Sequence, residues 1–217
     1  MKFETETGAL ECTPDRLIVA GWTGRDRSKV DHHIEELAAI GVPAPSTVPL
    51  YYQCSPSLLT RETSIQVLGK ETSGEAEPFL LKQDGKIWLG LASDHTDRAL
   101  EAHSVAASKQ ICAKPVAAEL WPLDEVAARL DDLKLQSWIV EDGDWVPYQD
   151  GTLAAILPLE TLMAGAGLKD GTAMLCGTLP AIGGVRPARD FRMALTDPKT
   201  GKSIEAAYSS SVLEIVS

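Results

Sequence analysis

Glu75-Ala-Glu77 sets two carboxylates on one side of an extended segment, because strand side chains alternate with period two. Like charges this close repel unless a cation sits between them, and hard divalent ions such as Mg²⁺ or Mn²⁺ take oxygen ligands, with Ca²⁺ able to substitute. A third carboxylate would complete a facial set that leaves positions for water or substrate. Asp94, ending the run KIWLGLASD, is the natural third ligand, and Asp97 is its alternative. The same E-x-E also suits a solvated strand face in an acidic chain. Ser93-Asp94-His95-Thr96-Asp97-Arg98 crowds polar groups behind an apolar strand. That density fits either a site or a helix start, with Asp94 or Thr96 as N-cap and Asp97 favouring the helix dipole. One aspartate can do only one of these jobs well.

His33 and Glu36 lie three residues apart and face the same way on a helix, beside Val30, Ile34 and Leu37. A histidine with a carboxylate neighbour is a candidate base near neutral pH, though a helical histidine is often structural. Lys109 and Lys114 are the cations of KQICAKPV; either could bind a carboxylate or polarise a carbonyl, or simply be solvated. Cys176-Gly177-Thr178-Leu-Pro180 puts a hydroxyl in a glycine-bracketed turn, where backbone N–H groups can approach a substrate closely or merely turn the chain.

These groups need a frame. DRLIVA (15–20), TVPLYYQ (47–53) and TSIQVL (63–68) read as strands, and PFLLKQ with KIWLGLA reads as a hairpin closed by Asp84-Gly85. Helices are predicted from Ser28, as N-cap, to Gly41 and Pro43, over about 97–107, over 123–133 and over 157–164. LQSWIV, TAMLCG, FRMALT, SIEAAYS and SVLEIV add strands, with a turn at Asp197 to Gly201. Strands outnumber helices and several pair as hairpins, so the expected class is a β-dominated α+β fold in a single domain.

Composition narrows the partners. With 31 acidic and 20 basic residues the formal charge is -11, which disfavours nucleic acid and anionic membranes. An anionic substrate then needs local positive charge, which a metal ion supplies. The chain has no bilayer-length apolar run and an acidic, polar start, so it is expected to be cytoplasmic. Its 4 cysteines form no C-x-x-C pair and are expected to be reduced.

In order along the chain these features resemble the fumarylacetoacetate hydrolase-like family. Gly24-Arg25 followed by His33-Ile-Glu-Glu36-Leu37 is similar to the family's first helix, and Gly41-Val-Pro43-Ala-Pro45 before PLYY to the stretch that follows it. Glu75 and Glu77 match its metal pair, and Asp94-His-Thr96-Asp-Arg98 its D-x-[ST]-x-R. Ser108-Lys109-Gln110 running to Pro122-Leu123-Asp124 resembles a further motif. Asp170-Gly171 through Gly177-Thr178-Leu-Pro180-Ala-Ile-Gly183 resembles the family's closing glycine-rich motif. The resemblance implies a mixed β-sandwich or roll with short peripheral helices, in a homodimer. It implies Glu75, Glu77 and Asp94 as ligands of Mg²⁺ or Mn²⁺, and Lys109, Thr178, His33 and Glu36 as catalytic groups. Arg98, Thr96 and Gly177 would contact a small anionic oxo-acid. Hydrolysis of a C–C bond or decarboxylation leads, followed by hydration or isomerisation. A non-catalytic ligand-binding protein is the alternative from another class.

Overall fold

The apolar runs are of two kinds, and each kind builds its own sheet. LIVA, PFLL, LGLA and TAML are nearly continuous, as strands buried on both faces require. They form a six-stranded sheet in the order Trp121–Pro122, Lys86–Ser93, Ala76–Gln83, Thr172–Leu175, Arg16–Gly21, Leu50–Cys54. Strands such as Ser64–Leu68 instead alternate, with Ile65 and Val67 buried and their neighbours exposed. These form a five-stranded sheet in the order Asp144–Thr152, Lys134–Glu141, Asp190–Thr196, Ser203–Leu213, Ser64–Leu68. The computed structural model of the protein describes residues 1–39 and 44–216, apart from the side chains of residues 33, 36, 37 and 39.

Both sheets feed one large core. Ile18, Leu80, Leu89 and Met174 of the first meet Leu135, Tyr148, Phe191, Leu195 and Ile204 of the second. The opposite face of the six-stranded sheet carries Leu17, Val19, Phe79, Leu81 and Leu175 in a second cluster. An N-terminal hairpin, Lys2–Thr5 with Gly8–Glu11, contributes the fully buried Phe3, whose ring lies 6.1 Å from that of Phe79. The result is the β-dominated α+β fold expected. Among the described residues no helix is long and apolar enough to cross a membrane.

Local chemistry accounts for the elements that differ from expectation. The first helix is Arg27–Ala39, and its cap is Asp26 rather than Ser28: Asp26 Oδ1 accepts from the N–H groups of Ser28 (3.1 Å) and Lys29 (3.4 Å). Its predicted end at Gly41 and Pro43 lies outside the described residues. The helix expected over about 97–107 is two, Arg98–Glu101 and Val105–Gln110, because Ser104 starts a new one by accepting from Ala107 N–H. The helix expected over 123–133 is α-helical only for Leu123–Val126 and continues as a 3₁₀ turn. There Arg129 leaves the helical region (φ −140°) and its guanidinium bonds Asp197 and the carbonyl of Glu125. SIEAAYS and SVLEIV are one strand, Ser203–Leu213.

Because Ser104 caps the short helix that carries Lys109, Ser104→Ala should cost about 1 kcal/mol. For a chain of this length that lowers the melting temperature by roughly 2–4 °C. Ser104→Gly should cost only a few tenths of a kcal/mol, a contrast that differential scanning fluorimetry resolves.

Candidate metal centre

The turn at Asp84-Gly85, where both residues take positive φ (53° and 75°), fixes the register of the central hairpin. Ala76 then stands opposite Ser93 and Glu77 opposite Ala92, and Asp94 N–H donates to the Glu75 carbonyl at 2.9 Å. Alternation does the rest. The parity that sends Phe79 and Leu81 into the second cluster sends Glu75 and Glu77 to the same face, where Asp94 meets them. One oxygen from each of the three carboxylates lies within 4.8 Å of the others.

Burial at this spot is severe: Glu77 is 2% exposed and Asp94 0%. Glu77 Oε2 accepts from the backbone N–H of Gly177 at 2.7 Å. Burial, reinforced by the charge of Asp94, pushes the Glu77 carboxyl well above its ordinary range. Burial also raises Glu75, against the pull of Arg98, whose Nη2 lies 3.3 Å from Glu75 Oε2. Asp94 goes the other way. Burial alone would raise it, but the ammonium groups of Lys109 and Lys114 outweigh that and hold it below the usual carboxylate range. Lys109 Nζ donates to Asp94 Oδ2 at 2.5 Å and lies over the Tyr52 ring, 5.8 Å from its centroid. Despite its burial, the surrounding carboxylates raise the Lys109 pKa.

The helix cap is neither Asp94 nor Thr96, the two residues expected for it, because the helix starts one residue beyond Asp97. Asp97 is the N-cap of Arg98–Glu101, its Oδ1 accepting from Leu100 N–H at 2.9 Å, whereas Asp94 joins the carboxylate cluster. Thr96 Oγ1 donates to the Asp94 carbonyl. Arg98 is engaged by Glu75, Glu101, and the hydroxyl and carbonyl of Ser73. Gly177 spends its N–H on Glu77, and φ is +92° there. A Cβ at Gly177 would fall 1.7 Å from Thr23 Oγ1, so only glycine fits. Thr178 Oγ1 donates to the Ala76 carbonyl and accepts from Gln149. The side chains of His33 and Glu36 lie outside the described residues.

Three groups went unmarked or misread in the sequence. Lys114, for which solvation was one reading, is completely buried; its Nζ donates to the His95 carbonyl at 2.6 Å and lies 3.0 Å from Asp94 Oδ1. Gln149, buried in the five-stranded sheet, accepts from Ala76 N–H and Ser137 Oγ and donates to Thr178 Oγ1 and the Leu179 carbonyl. It thereby ties the residue between the two glutamates to the Gly177 turn. His95 bridges Tyr208 and Thr72 through its two ring nitrogens, each at 2.9 Å. Nothing in the spacing of WVPYQD singles out Gln149.

The donor set fits a hard divalent ion. All three groups are carboxylates, and Asp94 Oδ1 is a buried oxygen that meets Lys114 Nζ at 3.0 Å without the alignment of a full hydrogen bond. A buried anionic oxygen so incompletely satisfied, beside two further carboxylates, is what such an ion would complete.

Several solved structures share the fold. The chain is similar to 2-keto-3-deoxy-D-arabinonate dehydratase complexed with magnesium and 2,5-dioxopentanoate, at 16% identity and a TM-score of 0.65 over 94% of this chain and 75% of that one. Cg1458 is similar at 14% identity and a TM-score of 0.62, covering 94% and 78% of the two chains. An uncharacterised protein from Mycobacterium abscessus ATCC 19977 / DSM 44196 is similar at 15% identity and 0.61, covering 97% and 84%. No curated protein matches the sequence. The sequence itself matches one family model over residues 20–208, and the chain belongs to that family, described as Protein of unknown function (DUF2848).

Proposed function

We propose that this chain is a divalent-metal-dependent enzyme of the fumarylacetoacetate hydrolase-like kind that acts on a small oxo-acid. One observation carries the reading: three carboxylates, two of them fully buried, converge within 4.8 Å beside two buried lysines. Glu75, Glu77 and Asp94 would hold Mg²⁺ or Mn²⁺. When bound, such an ion supplies Lewis acidity toward the oxo and carboxylate oxygens of a substrate.

The chain's own groups do the remaining work. Lys109 keeps a fixed positive charge in the site of a protein whose net charge is -11, and so favours an anionic ligand. Gly177 orients Glu77 through its N–H, and Thr178 braces the carbonyl between the two glutamates. Arg98 and Thr96 steady Glu75 and the Asp94 backbone. His33 with Glu36 is the pair that would move a proton, with Glu36 tuning the imidazole. Cleavage of a C–C bond next to the carbonyl, by hydrolysis or decarboxylation, is the leading reaction. Loss of water is the second reading, favoured by the similarity to a magnesium-bound dehydratase complexed with 2,5-dioxopentanoate.

Thermal melting tests the ion first. A ligand that binds only the folded state stabilises it by about 2.7 kcal/mol at one hundred times its Kd. In this size range that raises the melting temperature by roughly 5–11 °C over the value in EDTA. Oxalate or pyruvate should add a further rise only when Mg²⁺ or Mn²⁺ is present. A melting curve indifferent to both ions at every concentration would end the metal-enzyme reading.

A further inference from the structure

Lys114 is an expensive residue to bury. Its side chain is 0% exposed and among the largest fully buried in the protein, and an isolated ammonium in such a place is strongly disfavoured. Its position is not accidental slack. Lys114–Pro115 forms a short parallel ladder with Leu59–Thr60, and the next residue, Val116, bridges to Ala92 beside the carboxylate hairpin. The backbone is pinned on both sides, and the ammonium has two partners: the His95 carbonyl at 2.6 Å and Asp94 Oδ1 at 3.0 Å.

The charges of the centre sharpen the point. Arg98 is shared between Glu75 and Glu101 and is balanced by the latter. Once all three carboxylates are ionised, as ligands of an ion must be, they face two ammonium groups with one negative charge in excess. A doubly charged ion overshoots this to one positive charge; without Lys114 it would bring the centre to neutrality. Lys109 is bonded to Asp94 Oδ2, whereas Lys114 pairs with Oδ1 at 3.0 Å without the alignment of a full hydrogen bond.

We propose that Lys114 is a built-in counter-ion of Asp94 that competes with the divalent ion for the charge of the site, loosening ion binding and keeping the ion-free centre folded. This rests on reading Glu75, Glu77 and Asp94 as an ion cage. Lys114 touches no substrate in this scheme; it acts through Asp94 and is a positioning residue.

The test is Mn²⁺ titration at fixed pH, with free Mn²⁺ read by electron paramagnetic resonance, on the wild type, Lys114→Met and Lys114→Gln. Removing the charge should tighten Mn²⁺ at least tenfold while lowering the melting temperature in EDTA. A purely structural lysine would lower the melting temperature and leave the affinity unchanged or weaker, which overturns the proposal. If both neutral variants are unfolded in EDTA, Mn²⁺ should refold them, since the ion replaces the missing cation; failure to refold at saturating Mn²⁺ also overturns it. Wild type that binds no Mn²⁺ beside a Lys114→Met variant that does would uphold the proposal and remove the metal-enzyme reading. Wild type that binds Mn²⁺ as tightly as the variants removes the proposal and leaves that reading standing. Absence of binding in all three removes both.

Discussion

Asp94→Asn should unfold the protein at much lower temperature even in EDTA, while Glu77→Gln should abolish ion binding and leave the ion-free protein at least as stable as wild type. The contrast follows from what each carboxylate faces. Asp94 is the shared anion of Lys109 and Lys114, both of them buried. Taking its charge away strands two ammonium groups, and breaking a buried pair from one side costs about 3–5 kcal/mol. In this size range that is a fall of roughly 6–20 °C. Glu77 has the Gly177 N–H as its hydrogen-bond donor, and burial beside Asp94 already disfavours its charge. An amide at that position still accepts from Gly177 and relieves the repulsion. Both variants should lose the melting rise induced by Mg²⁺ or Mn²⁺. Melting curves of the two variants in EDTA, side by side, decide it: an Asp94→Asn protein as stable as wild type would show that the lysines do not depend on that carboxylate.

The same contrast explains what could be read from the sequence and what could not. Local signals sufficed for the hairpin. Asp84-Gly85 names its turn, and the register that this turn fixes between the apolar runs PFLLKQ and KIWLGLA brings residue 94 opposite residue 75. The identity of the capping aspartate was not local, because it depended on where a short helix starts, and Ser104 had cut the longer helix in two. The strand Asp144–Thr152 was hidden by Pro147, which a ladder tolerates here because the strand lies at the sheet edge and the register slips at Ser137/Trp138. Apolar residues at helical spacing over 123–133 were real, but Arg129 abandoned the helix for Asp197, a partner far along the chain. Long-range satisfaction also hid the roles of Lys114 and Gln149. A lysine in KPV resembles any solvated lysine until an aspartate twenty positions earlier is folded against it.

His95 turns the surroundings of the centre into an acid-sensitive part of the fold. Its ring is fully buried between the hydroxyls of Tyr208 and Thr72, and in the neutral imidazole one ring nitrogen donates while the other accepts. Burial, together with repulsion from Lys114 and Arg98 and against the pull of Asp94, pushes its pKa down to about 3. The unfolded chain takes up a proton near pH 6.5 while the folded one does not, so stability is lost as pH falls from about 6.5 toward 3. Glu75 and Glu77, raised in the folded state, contribute with the opposite sign above their unfolded values, and Asp94, lowered, loses its contribution only at more acid pH. Comparison with His95→Gln, which keeps a donor and an acceptor but cannot titrate, separates these contributions. Urea unfolding of both proteins in EDTA from pH 7.5 to 4.5 should show the wild type's stability falling relative to the variant by about 2–3 kcal/mol. A difference that stays constant across that range would mean that His95 takes up its proton in the fold as readily as in the unfolded chain, and that its bonds to Tyr208 and Thr72 do not hold it neutral.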